Sequence, residues 1–214
     1  MPNWVTSKVK APEGVIQAMV NKEGNIDFEK IIKFDGEFPW NGILVDAETA
    51  AERTLNLPLN SHPMIGSLQQ SSRDRVDVSN LSDEGFEQFI QMLRNHRKTG
   101  YLHCMDFARS AWGTKWNAFE SNVDGPESAS FETAWSFPEP IFIKLSQMFP
   151  DATIEVAYAD EDIGSNCGTV IFKGGEVVSR DESSGWNSMS LADRKKWTAF
   201  AYEVKGWERD QEDD

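Results

Sequence analysis

"FETAWSFPEPIFIKLSQMFPDATIEVAYAD", residues 131–160, decides the fold. Its first five residues alternate, with Phe131, Thr133 and Trp135 on one face of a strand and Glu132 and Ala134 on the other. "PEPIFIKLSQMFP" changes period. Pro138 and Glu139 suit a first helical turn, and Ile141, Phe142, Leu145, Met148 and Phe149 form an apolar stripe. Pro150 stops that helix. "ATIEVAYAD" alternates again, with Ile154, Val156 and Tyr158 on one face. The order is strand, helix, strand.

Working outward, "GTVIFKGGEVVSRDE" predicts a hairpin turning at Gly174 and Gly175, which supply the positive φ of a primed turn. Strands are expected over 131–136, 152–158, 168–173 and 176–180, in one antiparallel sheet. A last helix is expected from Leu191 to Val204, capped by Ser190 with Asp193 and striped by Trp197, Phe200, Ala201 and Val204. Upstream, "TKWNAFES" and "SASFETAWSF" read as aromatic strands around an Asp124-Gly125 turn signal. The opening "NWVTSKVK" reads as a strand, "APEGVIQAMVNKEGN" as a short helix and "IDFEKIIKF" as an extended or mixed segment. This gives an α+β architecture, an antiparallel sheet with helices on one face.

Residues 44–110 interrupt that pattern as a helix-rich insertion in a single domain whose core is 1–43 plus 112–205. "DAETAAERTLNL" reads as a helix with Asp46 as N-cap, and "PLNSHPMIGSLQQSSRDR" as a loop holding His62 in a surface turn. "SDEGFEQFIQMLRNHRKTG" is the clearest helix. Ser82 caps it, Gly100 ends it, and Phe86, Phe89, Ile90 and Leu93 share a face. "YLHCMDFARSAWG" reads as its continuation. Adjacent helical residues point about 100° apart, so His103 and Cys104 do not face one ion there.

The chain carries 35 acids against 21 Lys and Arg, a net charge of −14. The excess is uneven: 120–182 holds 13 acids and 3 bases, whereas 69–117 holds 6 acids and 7 bases. A surface of this sign repels phosphates, so no direct nucleic-acid binding is expected. It suits solubility, or a basic protein partner. No apolar run is long enough to span a bilayer. The start lacks the order of a secretory signal, and two distant cysteines fit a reducing compartment. The expected location is cytoplasmic, without membrane association.

No phosphate-cradling glycine motif is present, and no cofactor is expected. Cys167 in "GSNCG" precedes a strand, not a helix, so it reads as a buried strand residue rather than a nucleophile. Asp160, Glu161 and Asp162 lack calcium-loop spacing and read as a solvated acidic turn, a candidate contact for a basic partner. Trp112 and Trp116 straddle Gly113, Thr114 and Lys115. If that segment is a strand, both indoles face the helix at 138–149 and Lys115 faces away. At least two of Trp112, Trp116 and Trp135 are then core. The alternative is a stacking platform for a nucleotide or single strand, formed with Lys115.

"MPNW" at 1–4, "WGTKWNA" at 112–118, "FETAWSFPEP" at 131–140, "LSQMFPDATIEVAYADED" at 145–162 and "GGEVV" at 174–178 together resemble a phage- and plasmid-borne family carrying a YubB-type (Api-like) ferredoxin-like domain. The resemblance implies a ferredoxin-like sheet and a mobile-element origin, and no established activity. Members often begin Met-Pro-Asn-Trp-Cys; Val5 stands here instead. The first expectation is a non-enzymatic accessory protein that binds a host protein, such as a defence nuclease with a basic groove, through an acidic surface or the inserted helices. Rival expectations are the nucleotide-binding module and an enzyme of unrecognised type.

Overall fold

A computed structural model describes residues 3–208. In chain order the elements are β1 (Trp4–Lys10), α1 (Glu13–Met19), α2 (Val45–Thr54), α3 (Pro63–Arg75), α4 (Asp83–Thr99), α5 (Cys104–Ala111), β2 (Phe119–Gly125), β3 (Ser128–Ala134), α6 (Glu139–Met148), β4 (Ile154–Asp160), β5 (Cys167–Lys173), β6 (Glu176–Glu182) and α7 (Leu191–Lys205). The chain divides into two compact units, Met1–Lys33 with Ala108–Asp214, and Phe34–Phe107. The helix-rich unit thus begins at Phe34, ahead of the expected 44. Of the acidic tail at 208–214, only Glu208 lies within the described residues, as do Asn3 and Trp4 of "MPNW".

The first unit is an α+β fold on a six-stranded sheet of order β2-β3-β1-β4-β5-β6, antiparallel at every pairing. The run β1-α1-β2-β3-α6-β4 with strands ordered 2-3-1-4 is the ferredoxin-like arrangement. The β5–β6 hairpin extends it past β4. Gly174 and Gly175, at φ 61° and 89°, make the expected turn.

On one face Val5, Ser7 and Val9 of β1 are buried with Phe131, Val156, Val170 and Phe172. Phe142 of α6 stacks between Phe131 and Phe172, at centroid distances of 6.3 and 5.5 Å. Ile141, Phe142 and Leu145 are fully buried, whereas Met148 is exposed. The apolar stripe ends one turn before the sequence pattern does. Helices do not occupy one face only. Ala159 and Cys167, on the opposite face, are buried under Trp197, Ala201 and Val204 of α7. Ser190 Oγ accepts the Asp193 amide, the expected cap of α7.

The segment expected to be extended or mixed after α1 holds a 3-10 turn, Phe28–Lys30, capped by Asp27. Phe28, Ile31 and Phe34 are buried at a spacing of three, which suits a tight helical turn and not a strand. The second strand of the core is therefore β2.

In the second unit α2, α4 and the Ser82 and Gly100 caps lie as expected. Leu44, not Asp46, is the N-cap of α2. Residues 63–75, expected as loop, form α3, with His62 at its N-cap position. Propensity alone gives no stripe there. Arg73 holds it instead: its buried guanidinium donates to Glu52 at 3.2 and 3.1 Å and to the Leu57 carbonyl at 2.6 Å. The buried face of α4 is rotated from the expected one. Phe86 is exposed, while Gln88 and Asn95 are buried because their amides satisfy the backbone of Gly42, Leu44, Glu37 and Leu102. Helix α5 is separate from α4, broken off at Gly100 in the left-handed conformation. His103 is buried, with Nδ1 accepting the Asp106 amide and Nε2 against Glu48 at 3.0 Å.

Candidate binding surface

Residues 112–118 form a loop of bends between α5 and β2. The strand geometry expected there is absent, and with it the shared face of Trp112 and Trp116. Trp112 is core: its indole N–H donates to the Ile32 carbonyl at 2.8 Å and its ring meets Phe28 edge-on at 5.7 Å. Gly113 follows at φ 77°, and a Cβ there would lie 2.8 Å from Pro140. Only glycine accommodates both the conformation and the approach. Thr114 is buried and donates to the Ala134 carbonyl at 2.9 Å. The chain then turns outward, so Lys115 lies over the Trp116 ring at 4.6 Å and Trp116 is 37 % exposed.

Trp135 does not continue the alternation of Phe131 and Thr133. Strand β3 ends at Ala134, and Trp135 sits at φ 70° with its indole 53 % exposed. A bulky L-residue at positive φ costs roughly 1–3 kcal/mol and persists only where its surroundings impose it. They do. Its amide donates to the Asn3 carbonyl at 2.9 Å, Thr133 Oγ1 donates to the Ser136 carbonyl at 2.8 Å, and Ser136 Oγ donates to the Gly113 carbonyl. Of the three tryptophans only Trp112 is core. The small residues between them are the hydrogen-bonding turn that puts one indole inside and two outside.

The exposed aromatics continue onto the sheet. On the α7 side, Trp4 stacks on Phe119 with centroids 4.9 Å apart and meets Trp116 at 6.1 Å. Phe119 lies opposite Glu132, and Glu132 opposite Thr6, so this is the face carrying Thr6 and Ala159. Helix α7 packs on β4, β5 and β1. Its last turn places the Lys205 ammonium, almost fully buried, against Glu132 and the Trp4 carbonyl at 3.3 Å each and 4.8 Å from the ring of exposed Trp207. Beyond it lie Phe119, 49 % exposed, exposed Asn122, and half-buried Ser128 and Ser130. Trp4, Phe119, Lys205 and Trp207 were not singled out by sequence. The signal was present for Trp4, which shares its strand face with Thr6 and Lys8 and not with the apolar Val5 and Val9.

The acidic turn differs from its expected form. Asp160 is buried, and its carboxylate accepts from Asn3 Nδ2 at 3.3 Å, the Asp162 amide at 3.0 Å and Asn166 Nδ2 at 2.8 Å. It closes the 160–166 turn and presents nothing to a partner. Glu161 and Asp162 are exposed. Cys167 is buried in β5, and burial pushes its thiol up from the ordinary range, opposite to what a nucleophile needs. Among the described residues, no group of three or more His, Cys, Asp or Glu could hold a metal ion. No helix among them is long and apolar enough to cross a membrane.

Residues 111–200 match a family model described as the ferredoxin-like domain in Api92-like protein. Across 86 % of this chain and 99 % of the other, the chain is similar to the crystal structure of a protein api92 from Yersinia pseudotuberculosis, at 13 % identity and a TM-score of 0.38. No curated protein matches the chain. The segment from the end of α5 to α7 is thus similar to the ferredoxin-like domain of Api92-like proteins.

Proposed function

We propose that this chain is a non-enzymatic recognition protein that docks a partner protein on the open half of its second sheet face. The observation that carries the reading is the aromatic cluster in which half-buried Trp4 of β1 meets exposed Phe119 of β2 and exposed Trp116 of the preceding loop, with exposed Trp207 near the same Lys205 that bonds Trp4. Exposed aromatic clusters of this kind mark interaction sites, and Trp is among the side chains that dominate binding energy. The sheet edges favour face-on docking over strand addition. Edge strand β2 is interrupted by two register shifts, and edge strand β6 carries Glu176, Arg180, Asp181 and Glu182. The acidity of 120–182 then acts at the rim, steering a basic partner and repelling nucleic acid. In the mobile-element setting that the resemblance implies, the partner is a protein of the host cell.

The test is capture from nuclease-treated host lysate with three baits: the native protein, a Trp116→Ala/Phe119→Ala variant, and a Glu161→Lys/Asp162→Lys variant, each checked for an unchanged melting temperature. The proposal expects a partner held by the native bait, retained after nuclease and lost from the aromatic variant. Equal capture by the aromatic variant would overturn it. Loss only from the lysine variant would move the contact to the acidic turn.

A further inference from the structure

A second site adjoins this surface and is of different chemistry. Arg109, Gly113, Thr114, Lys115, Ala134, Trp135 and Ser136 line a surface depression of about 410 Å³. Its lining holds two cations and no carboxylate, in a chain where acids outnumber Lys and Arg 35 to 21. Among the described residues neither Arg109 nor Lys115 has a carboxylate partner within 4 Å. One wall is the exposed indole of Trp135, whose backbone is held at φ 70° by the bonds of Asn3, Thr114 and Ser136 described above. A guanidinium and an ammonium with no carboxylate partner, the latter also over the Trp116 ring, and an exposed π face around one hollow suit a ligand that joins a phosphate to a planar ring.

We infer that this depression binds a mononucleotide, its base stacked on Trp135 and its phosphate held between Arg109 and Lys115. A mononucleotide suits the chain better than a polymer. Repulsion from a net charge of −14 grows with every added phosphate, while only one phosphate meets the two cations. Stacking on the ring is tolerant of base identity, so purine is preferred over pyrimidine only through its larger face. Trp112 takes no part, since its ring is buried against Phe28 and its N–H is bonded to Ile32. This site does not depend on the protein-docking proposal, since Phe119 and Trp207 are not in its lining.

The experiment is calorimetric titration of the full chain at low salt with four probes: AMP, adenosine, inorganic phosphate and an eight-residue oligothymidylate. The inference expects AMP to bind with a dissociation constant on the order of 0.1–1 mM and each half-ligand to bind roughly tenfold or more weakly. Trp135→Leu and an Arg109→Gln/Lys115→Gln double variant should each weaken AMP about tenfold, a loss of about 1.4 kcal/mol. Two further readouts keep folding out of the result. The melting temperature should change little in the double variant, and only the double variant should lose the salt dependence of AMP binding. Phosphate binding as tightly as AMP would overturn the stacking role. Oligothymidylate binding more tightly than AMP would overturn the choice of a mononucleotide, and no saturable AMP binding would overturn the site itself.

Discussion

The second face of the sheet is built in two ways. Under α7 the strand residues are Ala157, Ala159 and Cys167, small enough for a helix to seat Trp197, Ala201 and Val204 directly on the strands. At the last turn of α7, where Lys205 reaches the Trp4 carbonyl and Glu132, the same face carries Trp4 of β1 and Phe119 of β2, stacked on each other at 4.9 Å. Small residues mark where α7 seats its apolar face, and large aromatics mark where, among the described residues, that face gives way to Lys205. A face meant only for water would carry the polar residues found at Ser128, Ser130 and Asn122 throughout. This half instead groups Trp4, Phe119 and Trp116 beside the charged pair Lys205 and Glu132, and aromatics with a charged rim are a feature of docking surfaces.

This contrast can be broken by measurement. The largest effect belongs to the first face, which serves as reference. Leu145→Ala, at a fully buried position of α6, should cost about 2–5 kcal/mol by denaturant titration. A loss below about 1 kcal/mol would mean that α6 does not pack on the sheet as described. Next comes the covered half of the second face. Ala159→Leu forces a larger side chain beneath α7 and should cost about 1–3 kcal/mol. Its counterpart on the open half, Ser130→Leu, should stay within about 0.5 kcal/mol of native. If the two leucines cost the same, something covers the open half in the free protein. Smaller again is Ser190→Ala, which removes the acceptor of the Asp193 amide and should cost about 1 kcal/mol without touching any proposed site. Smallest of all in stability is Trp116→Ala, under about 1 kcal/mol, since its ring is partly exposed and meets Trp4 at 6.1 Å and Lys115 at 4.6 Å.

The fold was legible where one kind of force dominates. Alternation marks β3 and β4, the placing of Trp4, Val5 and Val9 marks β1, and the paired glycines mark the β5–β6 hairpin. The misreadings have physical causes. Helix α3 has no apolar stripe and is held by the buried guanidinium of Arg73, which no periodicity reveals. Gln88 and Asn95 are buried because their amides replace lost water bonds of the loop backbone, so polar residues stand where a stripe reading expects surface. Helices on both faces follow from Ala157 and Ala159, whose small size reads as neutral in a strand until a helix is seen against them. The surface was less legible still. Trp112, Trp116 and Trp135 are identical letters, and their separation into core and surface depends on the positive φ of Gly113 and Trp135 and on hydroxyls of Thr114 and Ser136. Asp160 read as part of an acidic cluster, whereas three donors claim its carboxylate for the turn.

The measurement closest to the central claim uses the partner recovered by capture. Its dissociation constant is compared for the native protein, for Trp116→Ala/Phe119→Ala, and for Glu161→Lys/Asp162→Lys. The account predicts a loss of about 2–4 kcal/mol for the aromatic pair, roughly 30-fold or more, with under about 1 kcal/mol for the two rim charges, seen mainly in association rate at low salt. Equal affinity of the native and aromatic variants would contradict it, and the open half of the sheet would then be no docking surface.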